Sequence, residues 1–312
     1  MSHTKTFDKI TIRDIATAGG KGASLGDMYQ AKIPVPPGFV VLADAFEYFL
    51  DKTEIGTEIS SRIDRLNIKD INSVNRMSRV VMDLIKDVKI DQKFETEILE
   101  AFDKLGASRV AVRSSATAED SQVASWAGEL ESYLNIDRDN VIEKVKHCWA
   151  SLFTPRAIFY RFEQGLAESQ VSVAVVVQEM VESERSGIAF TVHPVTKDKN
   201  QMLIEAAYGL GEAIVSGSIT PDSYVIDKIN LTPVDLDIGE QKSKVVYAEK
   251  GTKSVDLDPA EGKRQIMAED EMLSIAKTCQ RVEEHYGFPC DIEWAWAKGK
   301  LYITQSRPIT TL

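Results

Sequence analysis

The sequence predicts a soluble α/β (α+β) protein in two lobes, a helix-rich first half followed by a β-rich second half. Three observations lead there. From about residue 43 to 105 apolar residues recur at helical spacing: Ile59, Ile63 and Leu66; Met77, Val81, Leu84 and Ile85; Phe94, Ile98 and Phe102. Charged residues fill the gaps, the pattern of amphipathic helices. At 171–181 the character changes to VSVAVVVQEMV, an almost unbroken β-branched run expected of a central strand buried on both faces. Finally, 312 residues exceed the usual single domain and fall short of three. These place the lobes at 1–180 and 181–312.

The elements follow in order. Ala18-Gly19-Gly20-Lys21-Gly22 predicts a loop entering a short helix over 23–31. Ile33-Pro34-Val35-Pro36-Pro37-Gly38 predicts a rigid turn running into an extended segment, because proline fixes φ and pushes its predecessor toward β or polyproline geometry. After the helical region Gly106 is a stop, 109–113 (RVAVR) a short buried strand and 114–128 a polar loop. Over 138–166 Val141, Ile142, Val145, Cys148, Trp149 and Leu152 form one apolar stripe. Pro155 should kink or restart that helix and Gly165 should end it. Further strands are expected at 187–192, 201–207, 223–227, 244–248, 291–297 and 301–305. One helix, over 259–286 with Gly287 past its end, interrupts them.

Composition narrows the function classes. With 43% hydrophobic and 27% charged residues the chain can bury a sizeable core, which argues against disorder. Its 37 basic against 48 acidic residues give net −11, so there is no global field for nucleic acid or an anionic membrane. A local basic pocket for phosphates is still compatible with that balance. Cys148, Cys279 and Cys290 are widely spaced and read as reduced thiols, not as a disulfide or zinc framework. No apolar run approaches the roughly 18 residues of a membrane span. A cytoplasmic protein is expected.

Several segments could carry chemistry. Gly19-Gly20-Lys21-Gly22 at a helix start suits phosphate, through converging N–H groups, the helix N-terminus and the Lys21 charge. It is not a Walker A loop, since Ile15 stands where that motif needs glycine, and an ordinary turn fits it as well. Arg113, ending a buried strand, must meet a ligand anion or an internal carboxylate. Gly128 with Ser132 reads as a flap over a ligand or as a plain connection. Gln178-Glu179-Met180-Val181 interrupts an apolar strand, where exposed backbone could meet a planar base or the strand simply leaves the core. In Asp291-Ile292-Glu293-Trp294-Ala295-Trp296 acids alternate with bulky apolar groups. If the loop before the return strand has three residues, Ala297 faces Leu301, Glu293 faces Gln305 and Asp291 faces Arg307. A two-residue loop would slip the register and separate these groups onto opposite faces. The first register gathers oxygens suited to Mg²⁺ and a guanidinium suited to phosphate; a charged solvent face is the alternative. His193, before Pro194, reads as a turn residue ahead of a phosphoryl acceptor. Glu205 and the glycines at 209, 211 and 217 are further ligand-loop candidates.

The order of these motifs is more informative than any one of them. GGKGASLGDM…IPVPPGFVV, VAVRSSATAEDS…SWAGELESYLNI, VVVQEMV…SGIAFTVHPVT, IEAAYGLGEAIVSGSITPD and DIEWAWAKGKLYITQSRPI together resemble the N-terminal ATP-binding domain of the phosphoenolpyruvate synthase, pyruvate phosphate dikinase and rifampicin phosphotransferase family. The resemblance spans essentially the whole chain and is least distinctive over 50–105. It implies an ATP-grasp-type fold, two lobes with mixed sheets closing on Mg·ATP. It also implies that Lys21 and Arg113 hold phosphates, with Gly128 and Ser132 in the phosphate-covering loop. Gln178, Glu179 and Val181 would contact adenine, Glu293 and Gln305 would hold Mg²⁺, and Arg307 would neutralise the transferring phosphate.

In such a family a histidine on a separate swivelling domain attacks the β-phosphate of ATP. The acceptor pattern T-x-G-G-x-x-x-H is absent here; Thr17-Ala18-Gly19-Gly20 matches its start, but Ser24 stands in the histidine's place. The expected partners are therefore a phosphohistidine domain, in cis or in trans, and an acceptor-substrate domain. The alternative is a non-catalytic adenine-nucleotide sensor or interaction module.

Overall fold

The computed structural model describes residues 2–117, 131–163 and 172–310. It divides into one unit of Met1–Asp27 with Pro37–Met180 and another of Met28–Pro36 with Val181–Leu312. The first unit holds β1 (Thr4–Thr6), most of α1 (Ile15–Gln30), β2 (Gly38–Val41), α2 (Ala43–Thr53), α3 (Ile55–Asp64), α4 (Ile71–Asp87) and α5 (Gln92–Leu105). β3 (Val110–Ala116), β4 (Ser132–Ile136), α6 (Val141–Ala150), α7 (Pro155–Glu163) and β5 (Val173–Glu179) complete it.

The helical periods materialise as α2 to α7, and their ends are chemically marked. Asp70 accepts the Asn72 N–H at 3.0 Å and Asp91 the Phe94 N–H at 3.3 Å, while Gly106 closes α5 at φ 71°. Pro155 restarts the helix, since it occupies the first position of α7 with Thr154 Oγ1 accepting the Ala157 N–H at 3.2 Å. Gly165 lies outside the described residues.

The first sheet runs β1-β2-β5-β3-β4, with every neighbour antiparallel and β5 buried at its centre. One face carries Phe39, Val41, Val110, Val112, Val173, Val175 and Val177 into a core shared with α2, α4, α5 and α6. Trp149 anchors that core, 5.0 Å from the Phe49 ring and stacked at 6.1 Å on Phe94. The strand expected at 109–113 extends to Ala116 instead. Ser114 and Ser115 can stay buried there because each hydroxyl has partners: Ser114 Oγ lies 3.3 Å from Ser151 Oγ, and Ser115 Oγ donates to the Ala18 carbonyl at 3.0 Å.

The second unit contains β6 (Arg185–Phe190), β7 (Gln201–Tyr208), α8 (Glu212–Val215), β8 (Asp222–Asp227), β9 (Thr232–Asp237), β10 (Ser243–Tyr247), β11 (Thr252–Asp256), α9 (Glu269–Tyr286), β12 (Cys290–Ala297) and β13 (Lys300–Pro308). Six strands form a sheet in the order β13-β12-β6-β7-β8-β9, and β10 pairs with β11. The stripe Met272, Ile275, Ala276, Cys279 and Val282 of α9 packs against β7, β12 and β13. Where mixed sheets were expected, the strand pairs among the described residues are antiparallel, with one parallel bridge at Gly209–Val245.

The helix expected over 259–286 begins ten residues late, because 259–268 is committed to covering β8. Buried Asp222 accepts the Ile266 N–H at 2.9 Å, the Gly239 N–H at 3.0 Å and the Tyr224 hydroxyl at 2.7 Å. Such a carboxyl, taken from water, is pushed above its ordinary range by burial although each of these bonds pulls it back. The strands β1, β9 and β11 lie outside the expected ones. β1 and β11 have no apolar alternation. β9 alternates Val234 and Leu236 with Asp235 and Asp237 over one short stretch, yet with Pro233 inside it is an exposed sheet edge whose apolar residues stay in water.

β1 is held to α5 by one carboxylate. Glu97 Oε1 accepts the N–H groups of His3 at 2.7 Å and Thr4 at 2.9 Å and the Ser2 hydroxyl at 2.7 Å. Burial would raise Glu97, but these hydrogen bonds outweigh it and lower the group below its ordinary value. A depressed acid contributes stability that is present above the unfolded value, about 4.3, and is lost as pH falls through the folded one. Glu97→Gln should therefore flatten the acid limb of stability below about pH 4.5, read from urea midpoints between pH 3 and 7. An unchanged acid limb would exclude this clamp.

Candidate functional site

In the first unit the glycine segment is not a loop before a helix but a break inside one. α1 continues through it, with Gly19 alone at φ 68°, ψ 170°. A side chain at Gly19 would overlap Ser115, so only glycine lets the turn approach β3 this closely. Ser115 then works on both sides of the break: it donates to the Ala18 carbonyl and accepts the Gly22 N–H at 3.2 Å. That second bond caps the new helix start, where Lys21 sits half-buried.

The same sheet face gathers other candidates. Arg113 is two residues before Ser115, so both point to one side of β3. Across the ladder Arg113 faces Ser132 on β4 and Val176 on β5, and Gln178 faces Ala111 and Gly38. Arg113, Ser115, Ser132 and Gln178 thus share one face with the α1 break. Arg113 is mid-strand, not at a strand end, and Ser132 begins a strand, not a flap; Gly128 lies outside the described residues.

Glu179 faces Val110 and projects to the other side of the sheet. The break at 178–181 keeps more of its pairing than expected: the Glu179 N–H donates to the Pro37 carbonyl at 2.9 Å and the Met180 N–H to Arg109 at 3.0 Å. Val181 falls in the second unit.

In the second unit, the closing hairpin resolves the register question in an unanticipated way. Its loop has two residues, Lys298 and Gly299, both at positive φ (53° and 72°), and Ala297 faces Lys300. That tight turn, left alone, would separate the polar groups. A bulge between Glu293 and Trp294, with Thr304 as the extra residue on β13, restores the pairing, so Glu293 faces Gln305 and Asp291 faces Arg307. The Ile303 N–H beside the bulge donates to the Pro34 carbonyl at 2.8 Å, so the segment Met28–Pro36 covers the outer edge of β13.

Reading across β12, β6 and β7, Gln305, Glu293, Ile188 and Glu205 form one row; Arg307, Asp291, Phe190 and Leu203 form the next. Arg307 Nη2 lies 2.7 Å and Nε 2.9 Å from Asp291 Oδ2. Burial pushes the Asp291 carboxyl up; the guanidinium opposes this and the Glu293 charge adds to it, and the net is upward. Glu205 is likewise raised, by burial first and by the Asp291 charge second. Carboxylate and amide oxygens side by side fit a hard cation, which takes its remaining ligands from phosphate and water. By contrast His193 stands in a turn, where its Nδ1 accepts the N–H groups of Val195 at 3.2 Å and Thr196 at 3.3 Å.

With that geometry in hand, comparison with known proteins is specific. The family described as pyruvate phosphate dikinase, AMP/ATP-binding domain, matches residues 15–312. The chain belongs to that family. As a pyruvate phosphate dikinase-type AMP/ATP-binding domain, it is 44% identical over 98% of its length to a probable phosphoenolpyruvate synthase of Methanocaldococcus jannaschii, and 47% identical over 96% to one of Archaeoglobus fulgidus. It is 39% identical over 99% to the phosphoenolpyruvate synthase of Pyrococcus furiosus. It spans 26%, 40% and 44% of those three proteins, so it corresponds to one domain of larger chains.

The residue of this ATP-binding domain that sequence reasoning passed over is Ser115. Its signal was present, a serine at inward strand parity beside an arginine, but nothing local names its partner. Ser115→Ala leaves the Ala18 carbonyl and the Gly22 N–H without their bonds and should cost about 1–3 kcal/mol. Hydrogen exchange at 18–22 should rise with it; unchanged protection there would show that the break is held by other groups.

Proposed function

We propose that the chain is the ATP-binding catalytic module of a phosphoenolpyruvate synthase-type dikinase. With Mg²⁺ it transfers the β-phosphate of ATP, as pyrophosphate, to a histidine on a separate swivelling domain. The observation that carries this reading is the pairing of Glu293 with Gln305 and of Asp291 with Arg307, within a chain matched almost throughout to an ATP-binding family.

Lys21 and Arg113 bind phosphate oxygens, Ser132 joins them from its place opposite Arg113 on the same sheet face, and Gly128 belongs to the phosphate-covering loop. Gln178 and Val181 contact adenine. Glu179 contributes through its backbone carbonyl, since its side chain projects to the opposite face and its N–H is already committed to Pro37. Glu293 and Gln305 hold Mg²⁺, which when bound draws negative charge from the phosphate oxygens. An imidazole nitrogen of the partner attacks the β-phosphorus, and the bond to the oxygen bridging the α-phosphorus breaks. AMP departs with that oxygen, and the imidazole loses its proton. Such chemistry asks the protein for position and fixed positive charge more than for covalent help. Arg307, held by two contacts to Asp291, is oriented before the charge develops.

The final acceptor is chosen by domains beyond those described, consistent with the greater length of the relatives. Titration with ATP, with and without Mg²⁺ and with GTP as control, should give saturable ATP-selective binding. A hundredfold excess over Kd should stabilise the fold by about 2.7 kcal/mol. Lys21→Ala and Arg307→Ala should each slow AMP formation with an added histidine domain by roughly 10²–10³-fold. Wild-type rates in both would overturn the assignment. ATP binding without AMP formation, with a competent histidine domain supplied, would mark a non-catalytic nucleotide module instead.

A further inference from the structure

Glu205 has no part in the roles just assigned, yet it stands in the same cross-strand row as Glu293 and Gln305, separated from Glu293 by Ile188 alone. Among the described residues its carboxyl has no hydrogen-bond or ion-pair partner; the charge it senses is that of Asp291. It is half-buried, so it is denied full hydration as well. Two strand spacings put the Glu205 and Glu293 backbones about 10 Å apart. That is too wide for both carboxylates to be neighbouring direct ligands of one small cation without moving. Consistently, no three acid, histidine or cysteine side chains close on one point among the described residues. Mg²⁺ beside a nucleotide keeps several of its waters, however, and those waters need acceptors.

Resting on the nucleotide reading above, we propose that Glu205 is a positioning residue for the hydrated cation: it accepts hydrogen bonds from water molecules bound to the Mg²⁺ that Glu293 and Gln305 hold. Its position across Ile188 suits this role, because a water bound to the cation extends the reach between the two acids past that side chain. Without the cation the same carboxylate is one more like charge against a polyphosphate. Glu205 therefore makes ATP binding depend on Mg²⁺ from both directions.

The test is calorimetric titration of the chain with ATP, in Mg²⁺ and in chelator, for wild type, Glu205→Gln and Glu205→Asp. The wild type should bind ATP more tightly in Mg²⁺. In Glu205→Gln that gain should shrink by about tenfold, the scale for losing an acceptor behind a metal ligand. ATP affinity in chelator should meanwhile hold or improve. Glu205→Asp, which keeps the charge, should restore part of the gain. An undiminished Mg²⁺ gain in Glu205→Gln would overturn this inference and leave the nucleotide reading intact. So would equal weakening with and without Mg²⁺, which would assign Glu205 a folding role. Absence of ATP binding by the wild type would overturn both.

Discussion

The two-residue turn at Lys298-Gly299 and the extra residue Thr304 act against each other, and the polar face of the second sheet depends on their cancelling. With both turn residues at positive φ, the hairpin closes tightly and pairs Trp296 with Leu301 and Trp294 with Ile303. That arrangement keeps the large apolar groups on the core side. Continued without interruption it would set Thr304 opposite Glu293 and Ser306 opposite Asp291, turning Gln305 and Arg307 toward the core. The bulge moves the strand on by one residue, so Ser306 takes the buried position beside Ile292 and the amide and guanidinium emerge beside the acids. One inserted residue thus satisfies the core and the site together.

Close packing supports that face from behind and beside it. Gly187 lies opposite Trp294 and Ala206, and a side chain there would overlap the Glu205 carbonyl and the Trp294 ring. Arg185 makes a two-pronged pair with Glu271 at 2.6 and 2.7 Å and lies over the Trp296 ring, tying β6 to the first turn of α9. The strands bearing Glu205 and Glu293 are in this way fixed in position by neighbours that take no part in the proposed chemistry. The first unit uses the same economy with Ser115, one hydroxyl that fixes the α1 break beside Arg113.

The two faces also differ in charge. Lys21 and Arg113 bring positive charge to one sheet, whereas Glu205, Asp291 and Glu293 crowd a face of the other with Arg307 among them. Partial burial raises Glu205 and Asp291, so that acid face is held in a state that a cation would relieve. A net charge of −11 conceals this division entirely.

Long amphipathic helices and the buried β5 were legible because their apolar residues repeat at the period of the element, and desolvation enforces that period whatever the neighbours are. The family was legible because five motifs keep their order. Short polar strands such as β1 were not, since their pairing comes from backbone groups that every residue has. For the same reason a glycine run read as a loop became a helix break: glycine permits the geometry, but Ser115, 93 residues away from Gly22, selects it. The amino-acid sequence by itself determined the helices, the central strand, the candidate residues and the family. Only the tertiary structure decided that Glu293 meets Gln305 across a bulge and that Glu205 joins their row, because register across strands is a competition among distant packing and hydrogen-bonding demands that no local pattern records.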